Sequence, residues 1–180
     1  MTRVLAKRAL VAHPARPAPD VQLGAKLSLF GSDVLKIEYA VIGAIGRLAI
    51  PPRGIPMRVD RLWEHSCLEL FVADRAGPGY VEFNFAPSNA FAIYRFEDRR
   101  SGMVPALDCA APDIWTDVSS DRFALTAYVD FAGEGELAGR SVGVSAVIEE
   151  TDGAKSYWAL AHPGAAPDFH DPAGWTLRLG

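Results

Sequence analysis

With 180 residues the chain is long enough for one domain with a real hydrophobic core and short of two ordinary ones. Its 49% hydrophobic and 22% charged residues exclude a disordered polar chain. A formal net charge of -4 argues against nucleic acid as a partner, since a backbone binder needs a basic stripe to displace counterions, and Arg99-Arg100 is only a pair. No stretch approaches the roughly 18 to 20 apolar residues that span a bilayer. Met1 to Arg8 carries basic residues without the apolar run of a secretory signal, so a reducing, cytoplasmic location is expected, with Cys67 and Cys109 as free thiols.

In chain order, Pro14 to Pro19 reads as a surface connection behind a first edge strand. From Val21 to Leu29 every second residue is apolar (Val21, Leu23, Ala25, Leu27, Leu29), which is the signature of a half-buried strand. Leu35, Ile37, Tyr39 and Val41 repeat the pattern. Next, Leu68, Leu70 and Val72 point one way, and Cys67, Glu69 and Phe71 the other. In Tyr80 to Ala86 the core face takes Val81, Phe83 and Phe85, leaving Tyr80, Glu82 and Asn84 opposite. Phe123 to Val129 and Val142 to Ile148 alternate again, and the chain closes on Trp175, Leu177 and Leu179. Turn residues punctuate these runs at Gly31-Ser-Asp, Pro51-Pro-Arg-Gly, Gly77-Pro-Gly, Pro87-Ser-Asn, Gly133-Glu-Gly, Asp152-Gly and Pro172-Ala-Gly. About nine to eleven strands without intervening helices predict an all-β chain. The expected form is a two-sheet antiparallel β-sandwich of immunoglobulin-like or jelly-roll type, one domain over residues 1–180.

If the strands flanking Gly77-Pro-Gly pair, Glu69, Glu82 and Asn84 share one sheet face. Acceptors and an amide beside Trp63 and Tyr80 suit a carbohydrate, whose hydroxyls want acceptors and whose C–H faces want aromatic plates. Alternation alone equally predicts that Glu82 and Asn84 are the solvent side of an amphipathic strand. Trp63, behind a Pro-rich loop, suits a plug for the core as well as a ligand plate.

The ordered set Leu-Trp-x-x-x-Cys-x-Glu-Leu-Phe from Leu62, Glu-Phe-Asn-Phe-x-Pro-Ser from Glu82, Tyr94-Arg-Phe, and the late Ser156-Tyr-Trp-Ala-Leu-x-His-Pro with Pro167-Asp-Phe-His resembles bacterial DOMON-like proteins, which are similar to family 9 carbohydrate-binding modules. The resemblance runs from about Leu35 to the C-terminus. It implies a β-sandwich with a ligand site on one sheet, used for sugars in some members and for haem in others. In sugar-binding relatives two tryptophans sandwich a terminal sugar and a Glu six residues after the first Trp bonds its hydroxyls. Trp63 and Glu69 match that spacing. Those relatives tend to carry an Arg where this chain has Glu82, followed like it by the Asn matched by Asn84. Trp158 is the expected second plate, because Trp175 leads a core-facing run.

His162, Asp168, His170 and Asp171 crowd one loop, but no fixed ligand spacing appears, and neighbouring prolines point to loop structure rather than zinc. A structural calcium is known in related sandwiches, yet no ligand set here specifies one. Haem would need an axial pair from Met57, Met103, His65, His162 and His170. Glu64, His65, Ser66 and Cys67 adjoin in sequence, and strand neighbours face opposite ways, so they form no triad.

The leading expectation is a non-catalytic small-ligand module, carbohydrate-binding, with no cofactor. Trp63 and Trp158 would stack on the ring, Glu69, Glu82 and Asn84 bond its hydroxyls, and Arg95 orient a carboxylate. Cell-wall-derived amino sugars are the class suggested by the resemblance. The alternatives are a haem-binding electron-transfer domain, an enzyme acting on a small cyclic substrate, and an interaction module.

Overall fold

A computed structural model describes residues 2–31, 33–131 and 137–180. Ser32 of the expected Gly31 turn, and the Gly133 turn, lie outside them. The strands are β1 (Thr2–Ala12), β2 (Val21–Phe30), β3 (Val34–Gly43), β4 (Met57–Arg58), β5 (Cys67–Ala73), β6 (Tyr80–Phe85), β7 (Ala90–Phe96), β8 (Val104–Pro105), β9 (Asp113–Val118), β10 (Arg122–Asp130), β11 (Ser141–Glu149), β12 (Lys155–Ala159) and β13 (Leu177–Arg178). Single 3-10 turns stand at Ile45–Arg47, Leu62–Glu64 and Pro172–Gly174. The chain is all-β, and among the described residues no helix is long and apolar enough to cross a membrane.

The hydrogen-bonded path runs β4-β7-β6-β5-β11-β12-β1-β2-β3-β10-β9, with β13 on β11 and β8 on β7. These bonds join the strands in one continuous path, and its two halves meet across a shared core. β1 is too long to serve one half alone: Thr2 to Leu10 pair with β2, and Val11 and Ala12 pair with β12. It is therefore an interior strand rather than the expected edge. β4 adds a short parallel pairing to β7. The closing run is shorter than expected because Asp171 caps the Pro172 turn, and only Leu177–Arg178 remains as strand.

The counted alternation holds in the first half. β3 and β10 alternate buried and partly exposed residues, with Leu35, Ile37, Tyr39, Val41, Phe123, Leu125, Ala127 and Val129 inward. These meet Leu68, Leu70, Val72, Val81, Phe83 and Phe85 in one cluster. Removing each Val, Leu, Ile or Phe side chain of this cluster from water stabilises by roughly 1.5–3 kcal/mol. Tyr39 reaches across that core and donates its hydroxyl to the Glu69 carbonyl at 2.6 Å. It ties the first half of the path to β5.

β5 and β6 differ from β3 and β10: they are buried on both faces. A second cluster of Phe71, Tyr80, Ala92, Tyr94, Phe96 and Trp175 covers their other side, with Leu62, Trp63 and Phe169 packed against it. Gly143 makes this cover possible. A Cβ there would lie 2.2 Å from Trp175 Cδ1, so only glycine lets the indole rest on β11.

Candidate functional site

Antiparallel pairing of β5 with β6 sets Glu69 opposite Asn84 and Phe71 opposite Glu82, which places Glu69, Glu82 and Asn84 on one face. That face is not solvent. Glu69 is 2%, Glu82 3% and Asn84 0% exposed, because the aromatic cluster and the 62–64 turn cover it. Above the two carboxylates opens a cleft of about 320 Å³ walled by Trp63, Phe96, Tyr157, Phe169, His170 and Arg100.

Polar contacts order the floor. Asn84 Nδ2 donates to Glu82 Oε1 at 2.8 Å, while its Oδ1 accepts from the Cys67 thiol at 3.5 Å. Ser145, facing Glu69 from β11, donates to Glu69 Oε2 at 3.2 Å. Burial, with the neighbouring Glu82 charge, holds the Glu69 carboxyl well above its usual range. Burial raises Glu82 to about 7, although the Asn84 amide and Arg100 pull it back. The floor therefore favours a protonated carboxyl at neutral pH. Burial and both carboxylates push the Cys67 thiol up, so it stays an unreactive S–H.

One wall is clamped. Arg99 Nη2 meets Asp168 Oδ2 at 2.6 Å and Arg100 Nη2 meets Asp168 Oδ1 at 2.9 Å, with their Nε atoms at 3.2 and 3.1 Å. Arg99 also pairs with Asp171. The Asp168 carboxyl, though partly buried, is held below its usual range by these arginines. Behind the clamp, the Arg100 N–H donates to the Tyr80 oxygen at 3.2 Å, and that hydroxyl lies 2.8 Å from His170 Nδ1. Burial and then Arg100 depress His170 to about 4, so it is neutral. With the Tyr80 oxygen already accepting, its proton goes to Nδ1, and the ring N–H is Nε2, 3.9 Å from Glu82 Oε2.

Trp63, Glu69 and Glu82 thus line one cleft, and Asn84 lies beneath it, bonded to Glu82. Trp63 is half-buried, edge-on to Tyr94 with centroids 5.8 Å apart, so it is a wall rather than a core plug. Two expected residues are not in the site. Trp158 pairs with Ala146, shares its parity, and sits in the main core with Nε1 on Ser156 Oγ at 2.9 Å. Its neighbour Tyr157, opposite Val147, supplies the ring instead. Arg95 has the parity of Phe91 and Ile93 and pairs with Asp108 at 3.1 Å away from the cleft, while the guanidinium in the wall is Arg100.

The other candidates have structural partners. Asp168 and Asp171 accept the His170 and Ala173 N–H groups, and His162 Nε2 contacts the Val11 carbonyl at 2.9 Å. No group of three or more metal-ligating side chains occurs among the described residues. Of the haem candidates only Met103 and His170 line the cleft. They do not fit an axial pair, since His170 Nδ1 is bonded to Tyr80, Nε2 faces Glu82, and two buried carboxyls would oppose haem propionates. Phe96 was discoverable, because it shares the parity of Tyr94 opposite Glu82, whereas Phe169 and Arg100 reach the cleft through tertiary contacts alone.

No family model and no curated protein matches this chain. Among solved structures, it is similar to a candidate carbohydrate-binding protein from Bacteroides uniformis ATCC 8492, at TM-score 0.67 and 15% identity over 95% of this chain and 84% of that one. A family 9 carbohydrate-binding module from Caldicellulosiruptor kristjanssonii, in complex with glucose, aligns at TM-score 0.48 and 10% identity over 83% of this chain and 73% of that one. The chain therefore shares the fold of the Bacteroides protein over nearly its whole length.

Proposed function

We propose that this chain is a non-catalytic carbohydrate-binding module of DOMON-like sandwich type that holds a small sugar in the Trp63–Glu82 cleft. The observation that carries the reading is a pair of buried carboxyls at the floor of a cleft with aromatic walls, acceptors below and plates beside a ring-sized space. Shared fold with a candidate carbohydrate-binding protein supports it. Trp63 and Phe169 are the plates, Glu69 and Glu82 the acceptors, and Asn84 positions Glu82. Cell-wall amino sugars are the finer ligand class. Titration calorimetry with glucose, N-acetylglucosamine and glucosamine tests this: Trp63→Ala and Glu69→Ala should each abolish the binding that the parent chain shows. Unchanged affinity in both would remove the cleft from the function.

A second reading has one observation in its favour, the Glu82 carboxyl near 7, which suits general acid catalysis beside a second carboxyl. Release of nitrophenol from aryl glycosides, lost in Glu82→Gln, would establish it. No turnover over hours leaves the binding module.

A further inference from the structure

We infer that the cleft is built for an ammonium group, held between Glu69 and Glu82 and flanked by aromatic rings, and that amino sugars rather than neutral sugars are its ligands. This rests on the sugar reading only for the body of the ligand.

The charge balance of the cleft carries the inference. Both carboxyl side chains are more than nine-tenths buried, and each keeps one oxygen, Glu69 Oε1 and Glu82 Oε2, that accepts no hydrogen bond among the described residues. The nearest cationic candidate is His170 Nε2, 3.9 Å from Glu82 Oε2. Burial keeps that ring neutral near pH 7. The two arginines of the wall are bonded to Asp168 and Asp171, and the pull of Arg100 on Glu69 and Glu82 only partly offsets their burial. The remaining titratable groups around the pair, among the described residues, are Cys67, Tyr80, Tyr94 and Tyr157, with Asp60 behind Tyr94, and none is a cation. A buried acid pair without a counterion must hold a proton or take a cation from outside.

The walls fit the same guest. Trp63, Phe96, Tyr157 and Phe169 present ring faces and edges around the floor. An ammonium within about 6 Å of such rings is attracted by their quadrupoles. Its three N–H donors match the free carboxylate oxygens, which a single hydroxyl donor would not. Binding would release the proton held by the pair to the buffer as the ammonium takes its place, with no bond made or broken in the ligand.

The test is calorimetry on the whole chain at about pH 6.5, where an alkylammonium is charged, in two buffers of different ionisation enthalpy. Glucosamine should bind at least about tenfold more tightly than glucose or N-acetylglucosamine, with an apparent enthalpy that differs between buffers. In Glu82→Gln the ratio of glucosamine to glucose affinity should fall to about one and the buffer dependence should vanish, whatever loss the three sugars share. Neutral sugars binding as tightly as glucosamine, with no buffer dependence, would overturn the ammonium site and leave the sugar reading intact. Binding of ethanolamine but no sugar would keep the ammonium site and sink the sugar reading. Binding of none of the four would sink both.

Discussion

The two halves of the strand path treat the same sequence pattern in opposite ways. On β2 and β3 the polar alternate residues Lys26, Lys36 and Glu38 face water and pair there, at 3.2 and 2.9 Å. The Glu38 carboxyl, raised by partial burial, is pulled below its usual range by Lys36 and Lys26. On β5 and β6 the equally alternate Glu69 and Glu82 lie under an aromatic cover, without a lysine, and are pushed up. Polar alternation therefore marks a solvated face only where nothing returns to cover it. Where the chain does return, the same pattern builds a site.

The largest effect that would break this contrast is in the cover. Phe71 is fully buried, stacks on Trp175 at 5.7 Å and meets His170 edge-on. Phe71→Ala should cost about 3–5 kcal/mol in chemical denaturation, and a loss under 1 kcal/mol would show that the cover is loose.

Glu82 should show the contrast in pH. In the folded chain it keeps its proton up to about 7, whereas the unfolded chain releases it near 4.5, so folding holds an extra proton between those values. Stability from this group is thus fully present below about 4.5 and lost as pH rises through 7. Glu82→Gln should therefore stabilise by up to about 3 kcal/mol near pH 8 and by nothing near pH 4, read from denaturant midpoints. The reverse slope would mean that the carboxylate is paired.

Gly143→Ala drives a methyl into the Trp175 indole and should cost roughly 1–3 kcal/mol. Smallest is the solvated half. Glu38→Gln removes two surface pairs and should change stability by less than about 1 kcal/mol, with salt reducing even that.

Strand positions were legible because alternation is local: β2, β3, β10 and β11 each fall within a residue or two of the counted runs. Glu69, Glu82 and Asn84 were legible as one face for the same reason. That this face is buried was not, since much of its cover comes from the 160s loop and Trp175, far away in sequence. Parity also cut the other way. Trp158 and Arg95 have the core-facing parity of their own strands, and Tyr157 one residue earlier is the ring that the register turns to the cleft. Arg100 carried no periodic signal, because it sits in a turn with a left-handed backbone, φ 54°.

The four tryptophans allow the most direct test of the cleft as the ligand site. Trp63 walls it, Trp175 is part of the aromatic cover, Trp158 is in the main core, and Trp115 is exposed on β9. In a nitrogen-15 NMR titration with glucosamine, the Trp63 indole N–H signal should move most, Trp175 slightly, and Trp158 and Trp115 not at all. A shift confined to Trp115, with Trp63 unmoved, would place the ligand on the solvated half and contradict the account.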